Sequence, residues 1–275
     1  MKNFNPEEIK FRSSGTYHIM TGLQTITEKQ LITLAEYQAK DKRTANQEKT
    51  LKELIDKRDK TPELSTGIVN HLWDIYDSKV YGIREEISTK YTDKGNENEE
   101  DSLGMLSAAV GEYLIKNKTH FSNDYQKGTP DSFWGDAVVD TKTSWNLRTY
   151  RNADLSLIYY WQLMSYMWLT GKKRGLLVYA LTDTPEQLIQ DEIKRQTYYK
   201  GIDESSEKGI DIENQIRTNM TFADKIPAKN RLKTFWVERD ESKIDLIKQR
   251  VEMCRKELKR IHEMETNYLP EILIK

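Results

Sequence analysis

The sequence predicts an α/β fold, a mixed central sheet flanked by helices with a mainly helical addition at the amino-terminal side. Three observations lead there. Residues 1 to 90 place apolar side chains mostly at helical spacing. Gly128 to Lys142 reads as two strands around a Gly135-Asp136 turn. Beyond that hairpin the chain runs through an apolar helix into a further strand, an order that suits a crossover within one sheet.

The elements follow in order. LITLAEYQAKDKRTANQEKTLKELIDKRDK is charged on most faces, and IVNHLWDIYDSKVYGI repeats Ile68, Leu72, Ile75 and Tyr76 at helical spacing, so both read as scaffold. Residues 1–90 are expected to belong to the same domain as the core that occupies 91–275. A polar segment, TDKGNENEEDS, separates the two parts. Leu103, Leu106, Val110 and Leu114 then describe one helical face. Extended back by one turn, that face lands on Glu99, whereas Glu100 projects about 100° away. In the hairpin, Pro130-Asp131-Ser132-Phe133 is one strand and Ala137 to Lys142 the other. Strand alternation puts Val138, Asp140 and Lys142 on one face and Ala137, Val139 and Thr141 on the other. After the loop WNLRTYRNAD, LSLIYYWQLMSYMWLTG is an apolar helix closed by Gly171, with Gln162 and Tyr166 four apart on one face. A basic turn, Lys172-Lys173-Arg174, leads to the strand GLLVYAL, and Thr184-Pro185-Glu186-Gln187 reads as a capped helix start. Residues 201–230 are polar and give no clear element. RLKTFWVERD is a strand, and the last helix carries Ile244, Ile247, Val251, Cys254, Leu258 and Ile261 in one row.

Composition narrows the chemistry. A single cysteine, Cys254, excludes an intramolecular disulfide and any cysteine-ligated metal or iron-sulfur cluster. The four histidines, His18, His71, His120 and His262, show no ligand spacing. No apolar run approaches the roughly 18 to 20 residues of a membrane span, and MKNFNPEEIKFRSS lacks the apolar stretch of a secretion signal. The expectation is a cytoplasmic protein with no membrane partner. The net charge of −1 does not exclude nucleic acid, and it favours a recessed, locally basic path over a broad basic face.

What remains is an inward Glu on a helix, an Asp opening a hairpin, an Asp-Thr-Lys triplet on the next strand, and a helix with Gln and Tyr one turn apart. Each part alone has an ordinary explanation. Asp140 and Lys142 could be a surface ion pair, Glu99 a solvated helix start, and Gln162 with Tyr166 polar interruptions of a core helix. Together they suit phosphodiester hydrolysis, in which Mg²⁺ takes oxygen ligands from a few carboxylates and a lysine supports the attacking water and the added negative charge.

The same residues carry a resemblance. KGNENEEDSL, GTPDSFWGDAVVDTKTSW and YYWQLMSYMWLTG resemble successive motifs of the PD-(D/E)XK nuclease superfamily, in particular its phage exonuclease branch related to YqaJ and lambda exonuclease. The likeness covers residues 91–182 well, and FRSSGTYHIMTG and KTFWVERD with the last helix more weakly. Gly95, four residues before Glu99, agrees with the spacing of that branch.

The resemblance implies a PD-(D/E)XK nuclease core. It makes Asp131 and Asp140 the principal metal ligands together with the backbone carbonyl of Thr141, puts Glu99 on the metal or its water shell, and sets Lys142 beside the nucleophilic water. Gln162 and Tyr166 would brace the strand near the scissile phosphate. The middle acid, Asp140, departs from the commoner Glu. Within residues 10–22, Ser14 and Arg12 are candidates for holding a 5′ phosphate at a DNA end, although a capping serine and a surface arginine explain them equally. Arg148, Arg151, Lys172, Lys173 and Arg174 are candidates for lining the backbone path, or are simply solvated. The implied activity is Mg²⁺-dependent exonuclease digestion of linear double-stranded DNA from a 5′ end, with Mn²⁺ able to substitute. A phage recombination setting in a bacterial host, a trimer and a single-strand annealing partner are implied with it. A sequence- or junction-specific endonuclease and a non-catalytic DNA-binding or structural protein on this fold are the alternatives.

Overall fold

The computed structural model describes residues 4–21, 26–59, 63–83 and 89–267. Gly22, which ends FRSSGTYHIMTG, and Lys60, which ends the charged helical stretch, lie outside the described residues. In chain order the regular elements begin with β1 (Phe11–Arg12), α1 (Thr16–Met20), α2 (Glu28–Gln38), α3 (Ala45–Asp59) and α4 (Thr66–Val80). α5 (Lys90–Glu97), α6 (Glu99–Val110), β2 (Phe121–Ser122), β3 (Gln126–Gly128), β4 (Ser132–Trp134), β5 (Ala137–Thr143) and α7 (Leu147–Arg151) come next. The chain finishes with α8 (Leu157–Thr170), β6 (Arg174–Ala180), α9 (Glu186–Lys200), α10 (Glu207–Met220), β7 (Leu232–Glu238) and α11 (Glu241–Asn267).

These elements form two compact units, residues 1–9, 18–84 and 249–275 in one, and residues 10–17 and 85–248 in the other. The first is helical. Thr27 and Gln30 close a capping box at the start of α2, and α2 meets α3 through Leu34, Leu51 and Leu54. In α4 the row Ile68, Leu72, Tyr76 and Val80 is buried, while Ile75 is half-buried. Tyr76 Oη is 3.0 Å from His262 Nδ1, and the Phe4 ring meets Tyr76 edge-on. Arg255, buried on α11, donates from Nε and Nη2 to the carbonyl of Ile9.

The second unit is built on a four-stranded sheet in the order β4-β5-β6-β7. β4 and β5 are antiparallel, β5 and β6 parallel, and β6 and β7 antiparallel, so the mixed sheet with its crossover through α8 is as the sequence predicts. β5 is buried from Ala137 to Thr141 because helices cover both of its faces. Val139, Leu176 and Val178 pack against Leu103 and Leu106 of α6 on one side. On the other side α8 comes close at Gly175, where an added Cβ would sit 3.2 Å from Leu163 side-chain atoms. A small second sheet, β1-β3-β2, pairs Phe11 with Gln126.

Four expectations about elements change. TDKGNENEEDS is not a separator but helix, spanning most of α5 and the start of α6. Its helicity rests on tertiary contacts, since Lys94, Asn98 and Ser102 on one face are all buried. α6 ends at Val110, where Gly111 adopts φ 71°, so Leu114 leaves the helix and still joins the Leu103–Leu106 cluster from the following segment. Thr184 does not cap α9, whose N-cap is Pro185 with no side-chain hydrogen bond. Within residues 201–230, Glu207–Met220 is a helix, α10, which buries Ile212, Ile216 and Met220 against Ile189 and Ile193. Its apolar positions recur every four residues among polar ones, a sparse pattern beside the polar composition of the whole stretch.

Leu106 is 2% exposed and its cluster holds α6 to the sheet. Leu106→Ala should therefore cost about 2–5 kcal/mol of unfolding free energy in urea titration. Ile210→Ala, at a side chain 50% exposed, should stay within about 0.5 kcal/mol.

Candidate active site

The hairpin sets the first two carboxylates. β4 and β5 pair with Ser132 opposite Val139, so the next step of the same antiparallel register sets Asp131 opposite Asp140. Thr141, following Asp140, donates to Asp131 Oδ2 from its backbone N at 2.6 Å and from Oγ1 at 2.9 Å. Two donors on one oxygen fix that carboxyl group beside its neighbour.

Asp140 is fully buried. A buried carboxylate must be paired or it is strongly destabilising. Its Oδ1 accepts from Gln162 Nε2 at 3.0 Å, and the same amide nitrogen lies 3.0 Å from Tyr166 Oη. Lys142 Nζ is 2.8 Å from Oδ2. Apart from that ammonium, the buried Oδ2 has no donor among the described residues. The Lys142 ammonium also stands 4.9 Å over the Tyr159 ring. Asp131, Asp140, Thr141, Lys142, Gln162 and Tyr166 therefore meet in one place.

Glu99 is only partly part of this group. It opens α6, half-buried, with Glu100 exposed beside it as helical geometry requires. The helix start is positioned from below. Lys94 is buried in α5 and donates to the carbonyls of Trp145 at 3.1 Å and Thr182 at 3.0 Å. One turn later Asn98 Nδ2 donates to Thr182 Oγ1 and to the Asp183 carbonyl. These bonds tie the α5–α6 junction to the ends of β5 and β6. Yet Glu99 Oε2 is 2.8 Å from Lys116 Nζ, and among the described residues no group of three or more His, Cys, Asp or Glu side chains is arranged to hold a metal ion.

The amino-terminal segment is stitched under α8. Ser13 Oγ donates to the Lys127 carbonyl at 3.2 Å and lies 2.8 Å from Ser165 Oγ, while Gln126 Nε2 donates to Thr16 Oγ1 at 2.7 Å. At Gly128 an added Cβ would collide with Ser13 and with the Tyr166 ring. Arg12 and Ser14, between these anchors, are exposed. Arg148, Arg151 and Lys173 are exposed as well. Lys172 donates from Nζ to the Gly135 carbonyl at 2.9 Å, and Arg174 stacks 3.9 Å over Trp236. None of these basic residues enters the hydrogen bonds and ion pairs around Asp131 and Asp140.

Sequence reading missed Lys116, Lys94, Asn98, Ser13 and Tyr159. Lys116 lies in an irregular stretch, IKNKTH, with no periodicity to mark it. Lys94 and Asn98 left a faint signal, a four-residue spacing to the same face.

Electrostatics set the protonation states. Burial, and then the Asp140 carboxylate, push Asp131 up to about 7, against the pull of Lys142 and of the Thr141 N–H. For Lys142 burial opposes the charged form, but Asp140 and Asp131 outweigh it and hold the ammonium above its ordinary value. Burial, then Asp140, raises Tyr166, so its phenol stays protonated. Asp131 ionises near 3.8 in the unfolded chain, so between about pH 4 and 7 the folded protein retains a proton that the unfolded chain has lost. Asp131 therefore takes an increasing amount from stability as pH rises through that window, and its effect levels off above it. In the presence of EDTA, Asp131→Asn should shrink this loss by about 1–2 kcal/mol, read as the difference between thermal denaturation at pH 4.5 and at pH 8.

Comparison with protein-family models and with curated proteins gave no match. Solved structures share the architecture. A phage-related exonuclease from Haemophilus somnus 129PT superposes with a TM-score of 0.64 at 21% identity, over 94% of this chain and 97% of that one. An alkaline exonuclease from Laribacter hongkongensis gives a TM-score of 0.53 at 14% identity, over 94% and 93% of the two chains. Its complex with dAMP gives 0.50 at 15% identity, over 92% and 90%. Nearly the whole chain, including the four-stranded sheet that carries Asp140 and Lys142, thus has the fold of these exonucleases.

Proposed function

We propose that the chain is a divalent-metal-dependent deoxyribonuclease of the PD-(D/E)XK type that digests linear double-stranded DNA as an exonuclease. One observation carries this reading: Asp131, Asp140, Lys142 and Gln162 converge within hydrogen-bond reach on a fold shared with solved exonucleases. A dAMP complex of the Laribacter protein supports a nucleotide substrate for the same fold.

A divalent cation fits the donor set. Asp140 Oδ2 is buried and faces only the Lys142 ammonium, and burial together with the Asp140 charge leaves Asp131 about half protonated near neutral pH, so a second positive charge beside the pair would favour both carboxylates. Both carboxylates offer hard oxygens of the kind Mg²⁺ or Mn²⁺ takes. Asp131 and Asp140 would hold the ion with the Thr141 carbonyl, and Glu99 would act on it or on its water shell. When bound, the ion supplies a positive centre that polarises the scissile phosphate and acidifies water.

The chain's own residues do the remainder. Lys142 works as an ammonium, not as a free amine, because the two carboxylates raise its proton affinity. It orients the attacking water and donates to the phosphate oxygens as negative charge builds. Gln162 holds Asp140 at a fixed angle, and Tyr166 holds Gln162. The exposed Ser14 and Arg12 would meet a terminal 5′ phosphate, with Arg148, Lys172 and Lys173 along the duplex. Attack from a 5′ end, a phage recombination setting with a single-strand annealing partner, and a trimer complete the reading. They rest on the resemblance of the motifs.

End-labelled linear duplex and covalently closed circles, each with Mg²⁺ and with EDTA, test it. Linear DNA should be degraded with Mg²⁺ only, and circles spared. Cut circles would make the protein an endonuclease, and intact DNA throughout would remove the enzymatic reading. Asp131→Ala and Lys142→Ala should each lower the rate by at least about a hundredfold while the fold is retained by circular dichroism. Ser14→Ala should reduce the preference for a 5′-phosphorylated end over a 5′-hydroxyl end and leave the metal requirement intact.

A further inference from the structure

Glu99 is the acid whose carboxylate is spoken for. Its Oε2 lies 2.8 Å from Lys116 Nζ, with both side chains about one-third exposed. The lysine is fastened in place on both sides. Ser132 Oγ donates to the carbonyl of Ile115 at 2.8 Å, Asn117 N donates to the Asp131 carbonyl at 2.7 Å, and Asn117 Nδ2 donates to the Pro130 carbonyl at 2.9 Å. Residues 115 and 117 thus run along residues 130 to 132, and the residue between them stands beside Asp131. From there its side chain reaches the first residue of α6. Glu99 with Lys116 and Asp140 with Lys142 form two ion pairs, one on each side of Asp131, whose charge feels Glu99 as well.

We propose that Lys116 is a resident counter-cation of the acidic centre, which holds Glu99 while no divalent ion is bound and competes with the ion for that carboxylate. The inference rests on the metal-dependent reading of the same site. A carboxylate whose Oε2 accepts from an ammonium at 2.8 Å has part of its charge already neutralised, so it attracts a divalent ion through its other oxygen more weakly than a free carboxylate would. Ion binding and the Glu99–Lys116 pair therefore oppose each other, and affinity for the ion is set lower than the carboxylates alone would make it.

Manganese titration of the full chain without DNA, followed by electron paramagnetic resonance of free Mn²⁺, tests this. Lys116→Gln should lower the Kd for Mn²⁺ by roughly fivefold, as loss of a partly exposed ion-pair competitor predicts. Lys116→Met provides a second uncharged variant, and Lys116→Arg, which keeps the charge, should stay within about twofold of the wild type. In a Glu99→Gln background the gain from Lys116→Gln should largely vanish. An unchanged or weaker affinity in the uncharged variants overturns the inference, as does an equal gain in both backgrounds, or no Mn²⁺ binding at all. Digestion of linear DNA alongside an unchanged Mn²⁺ affinity would leave the nuclease reading standing and remove this one. Tighter binding without digestion would do the reverse.

Discussion

The buried carboxylate of Asp140 is the constraint on which the rest of the site depends. A charge on the central strand of a sheet, covered by helices on both faces, must find its partners inside the protein. One comes from its own strand, since the alternation that buries Asp140 brings Lys142 to the same side. The other comes from α8, and it arrives only because that helix lies close to the sheet. Gly175 permits the approach through its missing side chain, so Leu163 can settle on β6 while Gln162, its neighbour, reaches Asp140 Oδ1. A larger residue at 175 would push against the helix that supplies the amide. Packing and chemistry are thus joined at one residue pair.

How much of this was legible in the sequence depends on the range of the signal. The hairpin, with its Gly135 turn at φ 54°, and the face shared by Asp140 and Lys142 follow from alternation over a few residues. The Gln162–Tyr166 pair follows from one helical turn, and the bond between the two side chains bears it out. Glu99 could be told from Glu100 because only one of them continues the Leu103–Leu106 row. Reading failed where a position is decided by distant chain. α5 is polar by composition and is helical because Lys94 and Asn98 find carbonyls at residues 145, 182 and 183. Nothing near residue 94 in the sequence announces those acceptors. Lys116 is a lysine in an irregular segment until Asn117 and Ile115 are seen to bond on either side of Asp131.

The buried lysine under the α5–α6 junction and the acids above it share a physical logic. Both are places where local preference loses to arrangement, and such conflicts gather at functional sites. Lys94 is lowered to about 8 by burial, against a weaker opposing pull from Asp183, yet it serves as a donor to two strand ends. Asp131 is raised to about 7 by the same cause acting on an acid, burial, with the Asp140 charge adding to it. A structural role alone would be better served by apolar residues of similar size at these acids. Two carboxylates set against each other are what the divalent cation of the proposed function would resolve, beside the charge that Lys142 already supplies.

The amino-terminal segment extends that argument beyond the metal. From Phe11 to Thr16 burial alternates: Phe11, Ser13 and Thr16 are enclosed, while Arg12 and Ser14 face outward. The enclosed members are not held by the sheet alone. Ser13 meets Ser165 on α8, three residues beyond the glutamine that holds Asp140, and shares the space beside Gly128 with the Tyr166 ring. Because Gln162, Ser165 and Tyr166 all project from adjacent turns of one rigid helix, the spacing between the exposed Ser14 and the acidic centre is set by α8 rather than by a loose tail. An end-holding group built this way would present a DNA terminus at a fixed distance from the bond to be broken.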